Sequence, residues 1–128
     1  MNLALWIVTG LLAAVALTGG VSKAFIPKDK LAAAHGGGWT GDAGVTFVKS
    51  LGVLELLAAV GLILPAALDI APFFVPVTAI CWCLLMVGAM TTHARRPAEA
   101  PFVLLNLFYL CLALFIAWGR LGPHPFTG

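Results

Sequence analysis

Gly52-Val-Leu-Glu55-Leu-Leu-Ala-Ala-Val-Gly-Leu-Ile-Leu-Pro65 sets a single carboxylate inside an otherwise apolar run. The run belongs to a segment from about Val45 to Leu68. As a helix rising 1.5 Å per residue, such a segment crosses a hydrocarbon core about 30 Å thick. Glu55 lies ten residues in, about 15 Å deep and close to the midplane. A carboxylate at that depth is either neutral or paired. Its cost makes it a site hypothesis that needs a named partner.

The rest of the 128-residue chain fits a membrane setting: 62% is hydrophobic, 9% is charged, and the mean hydropathy is +1.07. Soluble domains carry about a quarter charged residues. Apolar segments run from about Leu3 to Val21, Val45 to Leu68, Ile70 to Met90 and Pro101 to Trp118. The first lacks a Lys or Arg ahead of it and reads as a retained span rather than a secretory signal. These segments predict an all-α integral membrane four-helix bundle, with one domain over residues 1–128. Between the first two spans, Phe25 to His35 reads as a short interfacial helix with Pro27 in its first turn and Gly36-Gly-Gly38 beyond its end. Pro65, Asp69 and Pro72 mark a tight turn between spans two and three.

Lys23, Lys28, Lys30, Arg95 and Arg96 flank the first and third loops, against Arg120 alone on the other side. By the positive-inside rule those loops face the cytoplasm, and both termini lie outside a cell (inner) membrane crossed several times. The basic residues form no stripe interleaved with aromatics, so no nucleic-acid partner is expected. The partner that composition demands is the lipid bilayer.

Polar groups crowd the basic half of the bundle, whereas Ile7, Val8, Leu62, Ile63 and Leu114 make the other half apolar. The asymmetry predicts a pocket entered from the basic side, with Glu55 at its floor. Lys23, His93, Asn106 and Tyr109 are the candidate partners of Glu55, because Leu51 and Ala59 stand four residues either side of it on its own helix. Glu55, Lys23 and His93 are the candidate catalytic residues; Tyr109, Asn106 and Lys49 are candidates for binding a substrate. Small residues predict close helix approach at Gly52, Ala58 and Ala59, with Gly10, Ala14 and Thr18 as the matching face of span one. Cys81 and Cys83 point about 200° apart on a helix. They and Cys111 read as buried small hydrophobes rather than a redox pair. His35, His93 and His124 stand in separate segments, and no metal site is expected.

Gly20-Val-Ser-Lys23, Gly52-Val-Leu-Glu55, Gly61-Leu-Ile-Leu-Pro65, Met86-Val-Gly88-Ala, His93 followed by Arg95, and Trp118-Gly-Arg120 together resemble the DoxX-like family over almost the whole chain. The resemblance implies a four-helix membrane protein in which Lys23, Glu55 and His93 occupy the positions of the family's polar residues. The family takes its name from a subunit of a thiosulfate:quinone oxidoreductase, and other members are associated with membrane redox complexes and oxidative-stress resistance.

Three functions follow as expectations. One is an accessory or anchor subunit of a membrane oxidoreductase system, with no intrinsic cofactor, receiving a quinone or another lipid-soluble ligand and docking on a membrane redox partner or a second copy of itself. Another is a self-sufficient enzyme using Glu55 as general acid or base to isomerise or cyclise a hydrophobic small molecule. The third is a small proton-coupled exporter, which the lack of charge in the first span disfavours.

Overall fold

The computed structural model describes residues 1–34, 37–96 and 99–126. The chain forms α1 (Asn2–Phe25), α2 (Lys28–Ala33), α3 (Trp39–Asp42), α4 (Val45–Ala67), α5 (Phe74–Ala94) and α6 (Ala100–Leu121). The helices α1, α4, α5 and α6 are each long and apolar enough to cross a membrane. They run up and down as two closely packed pairs, α1 with α4 and α5 with α6. The pairs meet along thinner seams between α4 and α5 and between α1 and α6.

Helical spacing selects the inward faces. On α1 the buried residues are Leu5, Thr9, Leu12, Ala16 and Gly20, and on α5 Val75, Ala79, Trp82, Met86 and His93 lie along a similar row. The apolar core of Leu12, Ala16, Leu62, Val75, Ala79, Trp82, Met86, Ala113, Ile116 and Ala117 runs through the middle of the bundle and is weighted toward the end away from the basic loops. Helix α6 buries residues only from Ala113 onward, so its basic half leaves room beside its neighbours. Hydroxyls on the spans bond their own helix: Thr9 to Leu5 O, Thr18 to Ala14 O, Ser22 to Thr18 O and Thr78 to Phe74 O. In lipid this internal pairing spares them an unsatisfied donor.

Glycine sets the α1–α4 crossing. A Cβ on Gly52 would stand 2.6 Å from Ala24 N, and one on Gly20 would stand 2.9 Å from Gly52 O. Backbone therefore lies on backbone at this point, which only glycine permits. The expected small face of Gly10, Ala14 and Thr18 is not the one used. These three residues are exposed on the outside of the bundle, and a Cβ on Gly10 would meet nothing within 4 Å. Gly19 and Gly20 make the contact because they, not Gly10, share a level with Gly52.

Other expectations shift in register. Helix α4 carries Pro65 inside its last turn and continues to Ala67. The turn that follows is built on Asp69 and Ala71, both at positive φ (52° and 51°), and α5 starts only at Phe74, four residues later than the hydropathy of the sequence implies. In the first loop, α1 runs on through Phe25 and Pro27 caps α2. His35 lies outside the described residues. Cys81 and Cys111 are exposed on the bundle's outer surface rather than buried, with Cys83 half-buried.

Two outcomes are expected. Gly52→Val should drive α1 and α4 apart and destabilise the fold by about 1–3 kcal/mol, whereas Gly10→Ala should be close to neutral; thermal unfolding in detergent micelles compares them. For topology, Gly41 is exposed and a Cβ there makes ordinary contact with Ala32. In a cysteine-free background, Gly41→Cys should resist an impermeant thiol reagent in intact cells and react after permeabilisation. Labelling in intact cells would place the basic loops outside.

Candidate functional site

Lys23 and Glu55 come together because of how side chains leave a helix. Each Cα–Cβ bond tilts toward the N-terminus of its own helix. Helix α1 enters the basic end with its C-terminus, so Lys23, in its last turn, leans inward along the bundle. Helix α4 starts at the basic end, so Glu55 leans back toward it. Lys23 Nζ meets Glu55 Oε2 at 2.9 Å. The contact is an ion pair rather than a well-aligned hydrogen bond, leaving Oε2 without a directional donor. Gly19 lies under the carboxylate, where a Cβ would be 3.2 Å from Oε1. Glu55 is 7% exposed, and the Lys23 side chain keeps 22% of its surface. The carboxylate is thus deep, and the lysine side chain is partly open.

The pair lines a cleft of about 670 Å³ along the α4–α5 seam at the basic end. Phe47, Leu51, Leu84, Leu85, Met86 and Ala89 give it apolar walls, and His93, Asn106, Arg95, Arg96 and Asp42 bring polar groups to its rim. Of the residues singled out from the sequence, Lys23, Glu55, His93 and Asn106 share this cleft. Asn106 spends its amide on Phe102 O at 2.8 Å. Tyr109 is not among the cleft's lining residues; it packs against the apolar core and the Phe108 ring. Lys49 is exposed, and its Nζ donates to Ala24 O at 3.0 Å, satisfying a carbonyl at the C-terminal end of α1 where a cation is favoured.

His93 heads a chain of polar contacts that closes the basic end. Its Nδ1 lies 2.8 Å from Glu99 Oε1, and its ring stacks on Phe102 at 5.5 Å. Glu99 is 6% exposed. Its Oε2 accepts from Arg96 Nε at 2.6 Å, and Arg96 Nη1 in turn donates to Asp42. A carboxylate can only accept, so His93 donates to Glu99 through Nδ1 and leaves Nε2 as its other polar atom. Hydrogen bonds from Arg96 to Glu99 and then to Asp42 raise the guanidinium's pKa further above its ordinary value, so the arginine stays charged throughout. Gly38 abuts this network, where a Cβ would be 2.9 Å from Glu99 Oε2. The first loop is thereby pinned to the third.

Glu99, Arg96 and Asp42 are the members that sequence reasoning missed. The available signal was Glu99 itself, an acid three residues after Arg96 in a loop otherwise basic.

Neither a curated protein nor a solved structure matches the chain. Residues 7–116 do match the DoxX-like family, a stretch that contains all four membrane-spanning helices in whole or in large part together with Lys23, Glu55 and His93. The chain is a multi-pass membrane protein that belongs to the DoxX-like family.

Proposed function

We propose that the cleft on the α4–α5 seam receives a lipid-soluble molecule with a polar head, a quinone being the class that fits best, and that the protein serves a membrane oxidoreductase system as an accessory or anchor subunit. The observation that carries this reading is an ion pair with a buried carboxylate in a cleft of apolar walls and polar rim, between two loosely joined helix pairs. Apolar walls with a few convergent polar groups are what a hydrophobic ligand with carbonyl or hydroxyl oxygens needs. Lys23, partly exposed and already anchored by Glu55, is the donor for such an oxygen. His93, through Nε2, is a second polar group at the mouth. Electrons would come from a partner or from the ligand itself, because side chains of this kind carry none.

The cleft also accommodates the enzymatic alternative, in which Glu55 handles a proton on an apolar substrate. Turnover by the purified single chain would select that reading over the accessory one.

Replacement of the pair separates a site from a structural clamp. Glu55→Gln and Lys23→Met alone should each cost about 1–3 kcal/mol, between the values for exposed and fully buried pairs. Each should also abolish ligand binding or partner activity. The double variant Lys23→Met with Glu55→Leu should regain most of the stability, because two apolar side chains need no counterion, yet remain functionally silent. A double variant that binds and supports activity like the wild type would reduce the pair to a clamp and end the proposal.

Replacing Cys81, Cys83 and Cys111 together by Ser or Ala should leave function intact and lower stability modestly, since two of the three thiols sit on the outer surface. Loss of activity in a well-expressed cysteine-free protein would instead bring thiol chemistry into the mechanism.

A further inference from the structure

Arg120 lies at the opposite end of the bundle from the Glu55 cleft and is 4% exposed. Its contacts are lopsided. Nη1 donates to Asn2 Oδ1 at 2.7 Å and to His124 O at 3.1 Å. The Phe126 ring lies on the guanidinium with its centroid 3.9 Å from Cζ, and Trp6 stands at 5.8 Å. Among the described residues, neither Nε nor Nη2 has a hydrogen-bond partner, and both are shielded from solvent. Those two nitrogens form one edge of the guanidinium, the fork whose parallel N–H bonds match two oxygens of a phosphate or carboxylate. A buried donor pair left empty is costly, and water is kept from it.

Arg120 also lines a cleft of about 510 Å³ beside the α4–α5 turn, with Pro72, Phe73, Leu121 and Phe126 as apolar walls and exposed Asp69 on the same lining. The cleft sits where α6 and α4 end, at the level of lipid headgroups. We propose that it is a phospholipid site on the side of the membrane opposite the basic loops, with the Nε/Nη2 fork of Arg120 holding the phosphodiester. Asp69, exposed on the same cleft lining, receives the positively charged headgroup amine, so the ligand is a zwitterionic amine phospholipid rather than a purely anionic one. The apolar walls take the first carbons of the glycerol and acyl chains.

Phe126 is the part that yields. The tail beyond Gly122 folds back through His124 N to Gly119 O at 2.8 Å and rests its ring on Trp6 and Arg120. Lifting that ring would open the face of the guanidinium, beside its Nε/Nη2 edge, without moving a helix.

The test uses the full chain, delipidated in a mild non-ionic detergent, with added phosphatidylethanolamine, phosphatidylglycerol or inorganic phosphate. Thermal shift and native mass spectrometry read binding. Wild type should retain one phosphatidylethanolamine in preference to phosphatidylglycerol and be stabilised by it, with inorganic phosphate ineffective. Arg120→Lys, which keeps the charge and loses the fork, should weaken retention by about tenfold or more. Asp69→Asn, on an exposed turn that leaves folding untouched, should erase the preference between the two lipids. Equal lipid retention by wild type and Asp69→Asn with unchanged preference overturns the amine assignment. Equal retention by Arg120→Lys, or stabilisation by inorganic phosphate matching that by lipid, overturns the phospholipid site; if Arg120→Lys does not fold, the phosphate arm still decides the site and the Asp69→Asn comparison the amine assignment.

Discussion

Everything at the basic end depends on a lysine and a glutamate that meet across a crossing made of glycine. Gly20 and Gly52 let the α1 and α4 backbones touch. That approach lets Lys23 reach Glu55 at 2.9 Å, and the pairing makes a carboxylate tolerable inside an apolar span. A bulkier residue at either glycine would move the ammonium out of range. The charge contact therefore depends on the helix contact.

The molecule has different solutions at its two ends. At the basic end, charge is resolved within the protein: His93, Glu99, Arg96 and Asp42 form one connected chain that ties the first loop to the third. At the far end a single cation is packed against aromatic rings with part of its donor set idle. Between them lies an apolar core biased toward the far end, and the larger of the two clefts described opens at the basic end.

Much of this is legible in the sequence because membrane solvation acts through composition. Four spans, their order and the exceptional position of Glu55 follow from hydropathy and from counting 1.5 Å steps. Lys23 is one of four candidate partners, and the side-chain tilt singles it out only once the helices are known to be neighbours. The face of α1 misleads because Gly10, Ala14 and Thr18 repeat every four residues as convincingly as the residues that do pack. Spacing shows that a small face exists, but not the level at which a neighbour crosses. The start of α5 is hidden because apolar residues fill the turn too, and Asp69 and Ala71 break the helix through backbone conformation rather than polarity. Glu99 is signalled by its place three residues after Arg96, but Asp42 is legible only as a loop charge, since its pairing with Arg96 joins segments more than fifty residues apart. Tyr109, three residues from Asn106, shares its face by simple spacing, but the 60° between them is enough to put one on the cleft and the other in the core.

The partnership of α1 with α4 also bears on how the chain is made. A lone acidic side chain at the centre of an inserting helix costs about 3 kcal/mol, and α4 has no basic residue near Glu55 on its own face. Helix α1 leaves the ribosome first and carries the counter-charge at its trailing end. The favourable route is therefore for α4 to enter lipid already leaning on α1, so that the translocation machinery releases a two-helix hairpin rather than one span at a time. The loop that joins them, holding α2 and α3, supplies the slack for that rendezvous.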